Sequence, residues 1–153
     1  MKYLLDARNP VKVVSLHIMS LVFLLSLVAC AGVPISYYDA TTYRNLTSLK
    51  AETTTLVESF DTVPYAENQN KIEDTTLNFK KAYEYEKGKG EPNSDTATQF
   101  DKIYGLFVDD VNDYKENEQG ELGKKYFQEA ARVLGQAFDI AISTENLKNK
   151  DKR

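Results

Sequence analysis

The chain of 153 residues has one Cys, one His, two Met and no Trp. A single Cys excludes an internal disulfide and any paired-Cys zinc or redox site. Seven Gly and four Pro are few for an all-β fold, whose many turns consume both. Positive charge is also in deficit: 19 Lys and Arg face 23 Asp and Glu, for a net −4. Phosphates demand a basic face, so nucleic acid is not an expected partner. Long apolar runs are missing as well, with one exception near the start.

The exception runs from Val13 to Val28, VVSLHIMSLVFLLSLV, with Lys2, Arg8 and Lys12 before it and only Asp6 opposing them. A basic leader, a short apolar stretch and small residues behind it are the pattern of a secretory signal. A membrane span needs about 20 apolar residues, whereas this run is shorter and is interrupted by Ser15, His17, Ser20 and Ser26. It ends in Leu27-Val28-Ala29-Cys30, which contains the sole Cys of the chain. Those four residues resemble the lipobox of bacterial lipoproteins: an aliphatic residue, a small or aliphatic one, then Gly, Ala or Ser, then Cys. The resemblance covers residues 1–30 only. It implies cleavage between Ala29 and Cys30, a thioether-linked diacylglycerol on Cys30, and a fatty acyl chain on the new amino terminus. No other cofactor is expected. Each buried lipid CH₂ contributes about 0.8 kcal/mol, so two or three chains anchor firmly where one does not. Ala31, rather than Asp, follows the Cys, which resembles the outer-membrane class of Gram-negative lipoproteins. The expected location is the cell envelope, on a membrane surface facing away from the cytoplasm.

Cleavage would change what the composition means. It removes Lys2, Arg8, Lys12 and Asp6 and takes the net charge from −4 to −6. It also removes His17, Met1 and Met19, so the chain from Cys30 onward has no imidazole base and no soft-metal ligand, and its thiol is expected to be lipidated. No catalytic residue and no metal ligand is assigned, and an enzyme is not expected.

Residues 30–38 read as a tether, kept from helix by Pro34, with Tyr37 and Tyr38 at the lipid headgroups or capping the core. Residues 39–153 read as a helical domain. Asp39 offers an N-cap. Leu46, Leu49, Thr53, Leu56, Phe60 and Val63 then recur at steps of three and four, which is helical periodicity. Pro64 opens a second segment, whose stripe of Tyr65, Gln69, Ile72, Thr76, Phe79 and Tyr83 is less apolar. The run Lys87-Gly-Lys-Gly-Glu-Pro-Asn93 is a connector, with Gly88 placed as the C-cap and Ser94 or Asp95 capping the third segment. Its glycines and lysines lack the spacing of a phosphate loop. Phe100, Ile103, Phe107, Val111 and Tyr114 line the third segment, widened by Tyr104 and Leu106. Tyr126, Phe127, Ala130, Val133, Leu134, Ala137, Phe138, Ala141 and Ile142 give the fourth a broad apolar face. Segments of 39–62, 64–87, 95–117 and 121–147, joined by short turns, predict an all-α antiparallel up-down bundle. Four helices are expected. Three, with one displaced or split, is the alternative, and the second segment is where four would fail first.

Two constellations stand out. Asp109, Asp110, Asp113, Glu116, Glu118 and Glu121 crowd the turn from the third to the fourth segment, opposed only by Lys115. Like charges at i,i+4 repel, so the cluster reads as a solvated face, a patch for an envelope partner or a weak cation site. At the other end, Lys87, Lys89, Lys148, Lys150, Lys152 and Arg153 would face the membrane, where anionic lipid attracts bases. Tyr83, Tyr104 and Tyr114 fall on apolar stripes, Tyr85 falls off them, and Asn45-Leu46-Thr47 matches a glycosylation sequon by coincidence. The expectation is a lipid-anchored, non-enzymatic module that binds or scaffolds another envelope or surface component. The alternative is a carrier of a small ligand or cation in the bundle interior or the acidic turn.

Overall fold

The structure, a computed structural model, describes residues 36–117, 122–123 and 125–150. The predicted signal, the lipobox with Cys30, and the tether before Ser36 lie outside the described residues, as do Glu118, Glu121, Lys152 and Arg153. Among the described residues there are four α-helices and no strand: α1 (Ala40–Glu58), α2 (Tyr65–Gly88), α3 (Ser94–Glu116) and α4 (Tyr126–Lys150). Short 3-10 turns, Ser59–Asp61 and Glu91–Asn93, follow α1 and precede α3. No helix among them is long and apolar enough to cross a membrane.

Side-chain bonds between helix ends give the order of packing. Thr42, early in α1, donates to Glu86, late in α2, at 2.6 Å. Asn68, early in α2, donates to the Tyr114 hydroxyl, late in α3, at 3.2 Å. Lys148, late in α4, donates to Thr96, early in α3, at 2.8 Å. Glu145, also late in α4, accepts the Asp39 amide at 2.6 Å. Each helix therefore runs against the next, and α4 closes on α1.

The helix starts follow local chemistry. Asp39 is extended (φ −129°, ψ 116°), and its Oδ1 accepts the Thr41 amide at 2.7 Å, as an N-cap should. Pro64, also extended, ends the α1–α2 connection. The α2–α3 connection differs from expectation in two ways. Gly88 is the last helical residue of α2, and Gly90 instead takes the special conformation, φ 81°, ψ −169°, open in practice only to Gly. Deferring the turn keeps Lys89 in αR geometry over Asp39 and Glu86. Neither Ser94 nor Asp95 caps α3. Asn93 holds the cap position, and its amide is diverted to the Glu86 carboxylate at 2.6 Å and the Glu86 carbonyl at 3.0 Å.

The core is mostly the expected one. Leu46, Leu49, Thr53, Leu56 and Phe60 are buried, and so are Phe100, Ile103, Phe107 and Tyr114. Phe79 stacks on Phe107 and Phe138 with ring centroids 5.6 and 6.0 Å apart, filling the middle of the bundle. Full burial of such a ring contributes about 1.5–3 kcal/mol. The broad face predicted for α4 is narrower in fact. Phe127, Ala131, Leu134, Phe138 and Ala141 are buried, but Tyr126 and Val133 are exposed, as is Leu106 on α3. The face of α2 is rotated from prediction. Ile72 and Phe79 are inside, Gln69 is exposed, and Asn68, Thr75, Ala82 and Glu86 are buried. Apolar residues are sparse on α2, so polar residues that find partners occupy its inner face.

Candidate functional site

The predicted acidic cluster lies where α3 ends. Of its described members, Asp109 and Glu116 are exposed, while Asp110 and Asp113 are half-buried. Asp113 accepts the Tyr126 hydroxyl, which joins α3 to the start of α4. That bond, with desolvation and the charges of Asp113 and Asp110, pushes the Tyr126 phenol up to about 12. Burial, then repulsion from Asp113 and Asp109, raises the Asp110 carboxyl to about 6. The pair that interacts most across this face is thus Asp110 and Asp113, with Asp109 turned to solvent. Among the described residues, no group of three or more His, Cys, Asp or Glu is arranged to hold a metal ion. An open cleft of about 590 Å³ adjoins the α1–α2 turn, lined by Phe60, Asp61, Val63, Tyr65, Tyr114 and Asn117 among others.

The same end is closed by rings. Phe60 and Tyr114 stack at 3.9 Å with planes 5° apart. Phe127 meets both edge-on, at 5.4 and 5.7 Å. The Tyr114 hydroxyl donates to the Val63 carbonyl and accepts from Asn68. Here the tyrosine on a predicted stripe is core with its hydroxyl satisfied at the rim.

The opposite end holds an ionic cluster that the sequence did not announce. Glu86 and Glu145 are 0% and 1% exposed. Each has a Lys three residues on, Lys89 at 3.0 Å and Lys148 at 2.7 Å. Each also reaches across to the helix starts. Glu86 accepts from Thr42 and Asn93, and Glu145 accepts the Asp39 amide while its Lys148 donates to Thr96. Lys89 spans Glu86, Thr42 and Asp39, the last at 2.8 Å. Desolvation pulls the Lys89 ammonium down, but its bonds to Asp39 and Glu86 prevail and raise it. Desolvation likewise pushes Asp39 up, and the bonds from Lys89, Tyr85 and the Thr41 amide outweigh it, leaving the carboxyl well below the usual range. With every carboxylate answered, the arrangement can fasten four helix ends together.

This changes the reading of the basic end. Lys89 and Lys148 are spent on internal carboxylates, so Lys87 is the exposed one of these three described lysines. Tyr85 is exposed by 41%, yet its hydroxyl donates to Asp39 at 2.7 Å and Lys89 covers its ring at 4.6 Å. Ser36 donates its amide to the Pro92 carbonyl at 3.2 Å, which ties the lead-in of α1 to the α2–α3 turn. Tyr38 lies beside Tyr43, and Tyr37 is 77% exposed. The sequon at Asn45 is helical with Leu46 fully buried, which suits no glycan. No family model matches the chain, and neither the curated proteins nor the solved structures compared with it give a match.

Proposed function

We propose that the protein is a bacterial-type envelope lipoprotein: an up-down four-helix bundle released by cleavage after Ala29 and held to a membrane through lipid on Cys30. The observation that carries this reading is the sole Cys of the chain, closing Leu27-Val28-Ala29-Cys30 directly behind a basic leader and an apolar run. The bundle acts without chemistry of its own, as a binding or structural module for another envelope component. Two features support that role over the alternative of a ligand or cation carrier. The middle of the bundle is filled by Phe79, Phe100, Phe107 and Phe138 rather than by convergent polar groups. The buried carboxylates Glu86 and Glu145 are already matched by Lys89 and Lys148. The acidic residues Asp109, Asp110, Asp113 and Glu116 are the candidate patch for the partner.

Metabolic labelling with a clickable fatty acid tests the anchor. The wild-type chain is expected to take the label and to begin at Cys30 by mass spectrometry, and Cys30→Ser is expected to take none. An unlabelled wild-type chain that keeps residues 1–29 would sink the proposal.

A further inference from the structure

Helix α4 carries two apolar stripes. One faces the core: Phe127, Ala131, Leu134, Phe138 and Ala141, at alternating steps of four and three. The other starts one residue earlier and keeps the same steps from Tyr126 through Ala130, Val133, Ala137, Ile140 and Thr144 to Leu147. Tyr126, Val133, Ile140 and Leu147 are 38%, 41%, 66% and 56% exposed, and the small residues between them are half-buried at the rim. Apolar residues scattered singly on a surface are ordinary. Four of them spaced by seven, over about 30 Å of helix, are the heptad seam of a helix that packs on another helix.

The charges around this seam identify the partner. From Tyr126 to Leu147 the exposed positions besides the apolar ones are Gln128, Glu129, Arg132, Gln136, Asp139, Ser143 and Asn146, and each charge is neutralised locally: Glu129 and Arg132 pair with each other, and Lys50 meets Asp139 at 2.5 Å. By contrast, the outer face of α2 carries Glu67, Lys71, Glu73, Asp74, Lys80 and Lys81. A surface that meets its own copy brings charges against their images, so a neutral seam is what self-association requires. The ends of the seam differ in sign by sequence. Asp110 and Asp113 lie beside Tyr126, whereas the sequence past Leu147 is rich in bases, with Lys150, Lys152 and Arg153 after the Lys148 that Glu145 holds. The pattern is symmetric about the point between Gln136 and Ala137: reversal sets Val133 against Ile140 and Tyr126 against Leu147, with the small Ala137 beside the crossing.

We propose that this face binds a second copy of the chain, α4 against α4, antiparallel, with the two-fold axis between Gln136 and Ala137. The pairing does not rest on the lipid anchor. It brings the basic end of each helix along the acidic end of the other.

The test is cysteine cross-linking of the whole chain in the membranes of cells expressing it. After oxidation, Ala137→Cys is expected to run at twice the monomer mass, and Tyr126→Cys co-expressed with Leu147→Cys to do the same. Leu147→Cys alone is expected to stay monomeric, because it meets its own copy only in a parallel pair. Adding Ile140→Glu to Ala137→Cys places two charges in the seam and is expected to cut the dimer about ten-fold or more at unchanged abundance. Lys80→Glu, on α2, is the control and leaves the dimer intact. An Ala137→Cys chain without dimer, a self-linked Leu147→Cys, or a dimer indifferent to Ile140→Glu each overturn the proposal. So does a monomeric Cys30→Ser chain that binds lipid vesicles and loses that binding on Ile140→Glu, which assigns the face to lipid. Cross-linking of the unsubstituted chain through Cys30 counts against the anchor, not against this pairing.

Discussion

At the Asp39 end, four helix termini meet through carboxylates, ammonium groups and hydroxyls; at the Tyr114 end they meet through stacked rings. Both seal the bundle, but by different physics. Ring burial is strong and tolerant of small shifts, since it depends on area. The Glu86 and Glu145 bonds are directional, and a buried carboxylate that misses its partners costs several kcal/mol. A slip of α2 by one turn would leave the rings in some contact with neighbours, yet it would strand Glu86 away from Thr42 and Asn93. The ionic end thus sets register, while the aromatic end supplies cohesion.

Matched truncations bring out the contrast. Phe127→Ala empties a site that is 1% exposed and is expected to cost about 3–5 kcal/mol in chemical denaturation, nearly unchanged with pH. Glu86→Ala leaves Thr42, Asn93 and Lys89 facing a void, and the expected cost is also about 3–5 kcal/mol. Glu86→Gln, which keeps the volume and an acceptor, should recover part of that, whereas no polar residue at position 127 should. If Glu86→Ala behaves like a surface substitution, within about 0.5 kcal/mol, the ionic end fastens nothing and the comparison fails.

A smaller change probes the one polar element of the aromatic end. Tyr114→Phe preserves the stack on Phe60 but removes a hydroxyl that donates to the Val63 carbonyl and accepts from Asn68. The half-buried Val63 carbonyl loses this donor and the buried Asn68 amide keeps only Ser59, so a loss of about 1–3 kcal/mol is expected from thermal or denaturant unfolding. A loss near zero would mean that ring stacking alone closes this end.

The two ends also differ in how far they could be read beforehand. Periodicity located α1, α3 and α4 and most of their buried residues, because Leu, Ile and Phe at steps of three and four have one favourable destination. It located α2 too but misjudged its inner face, where Asn68, Thr75 and Glu86 go inside because their partners are spread over the other helices and the turns. Glu86–Lys89 and Glu145–Lys148 look in sequence like the exposed i,i+3 pairs that line most helices. Only the meeting of four termini shows that they are buried. The error at Gly88 has the same origin, since Lys89 keeps αR geometry past the helix end, where it reaches Asp39, distant in the chain, as well as Glu86. The acidic cluster was legible as a charge run. The split between half-buried Asp110 and exposed Asp109 was not, because it depends on how α4 packs against α3.

The smallest expected effect concerns acid, and its sign is opposite at the two ends. Asp39 sits well below its ordinary value of 3.8 in the folded protein, so its stabilisation is complete above about pH 4 and is lost as pH falls through the folded value. Asp110 is raised from 3.8 to about 6, so the folded protein binds a proton there that the unfolded chain does not. Between those values folding is favoured as pH falls, and above about pH 6 the ionised carboxylate costs stability. Asp110→Asn abolishes that cost. Allowing for screening at a half-exposed group, the gain at neutral pH is about 1 kcal/mol, vanishing towards pH 4. The informative quantity is the difference between wild type and variant across pH, in which groups common to both cancel. A flat difference would mean that neither burial nor the charges of Asp113 and Asp109 act on Asp110, and that the aromatic end carries no electrostatic strain. A difference that shrinks as pH falls to 4, with Asp39→Asn giving the reverse trend below it, would establish an acid-favoured end and an acid-labile end in one bundle.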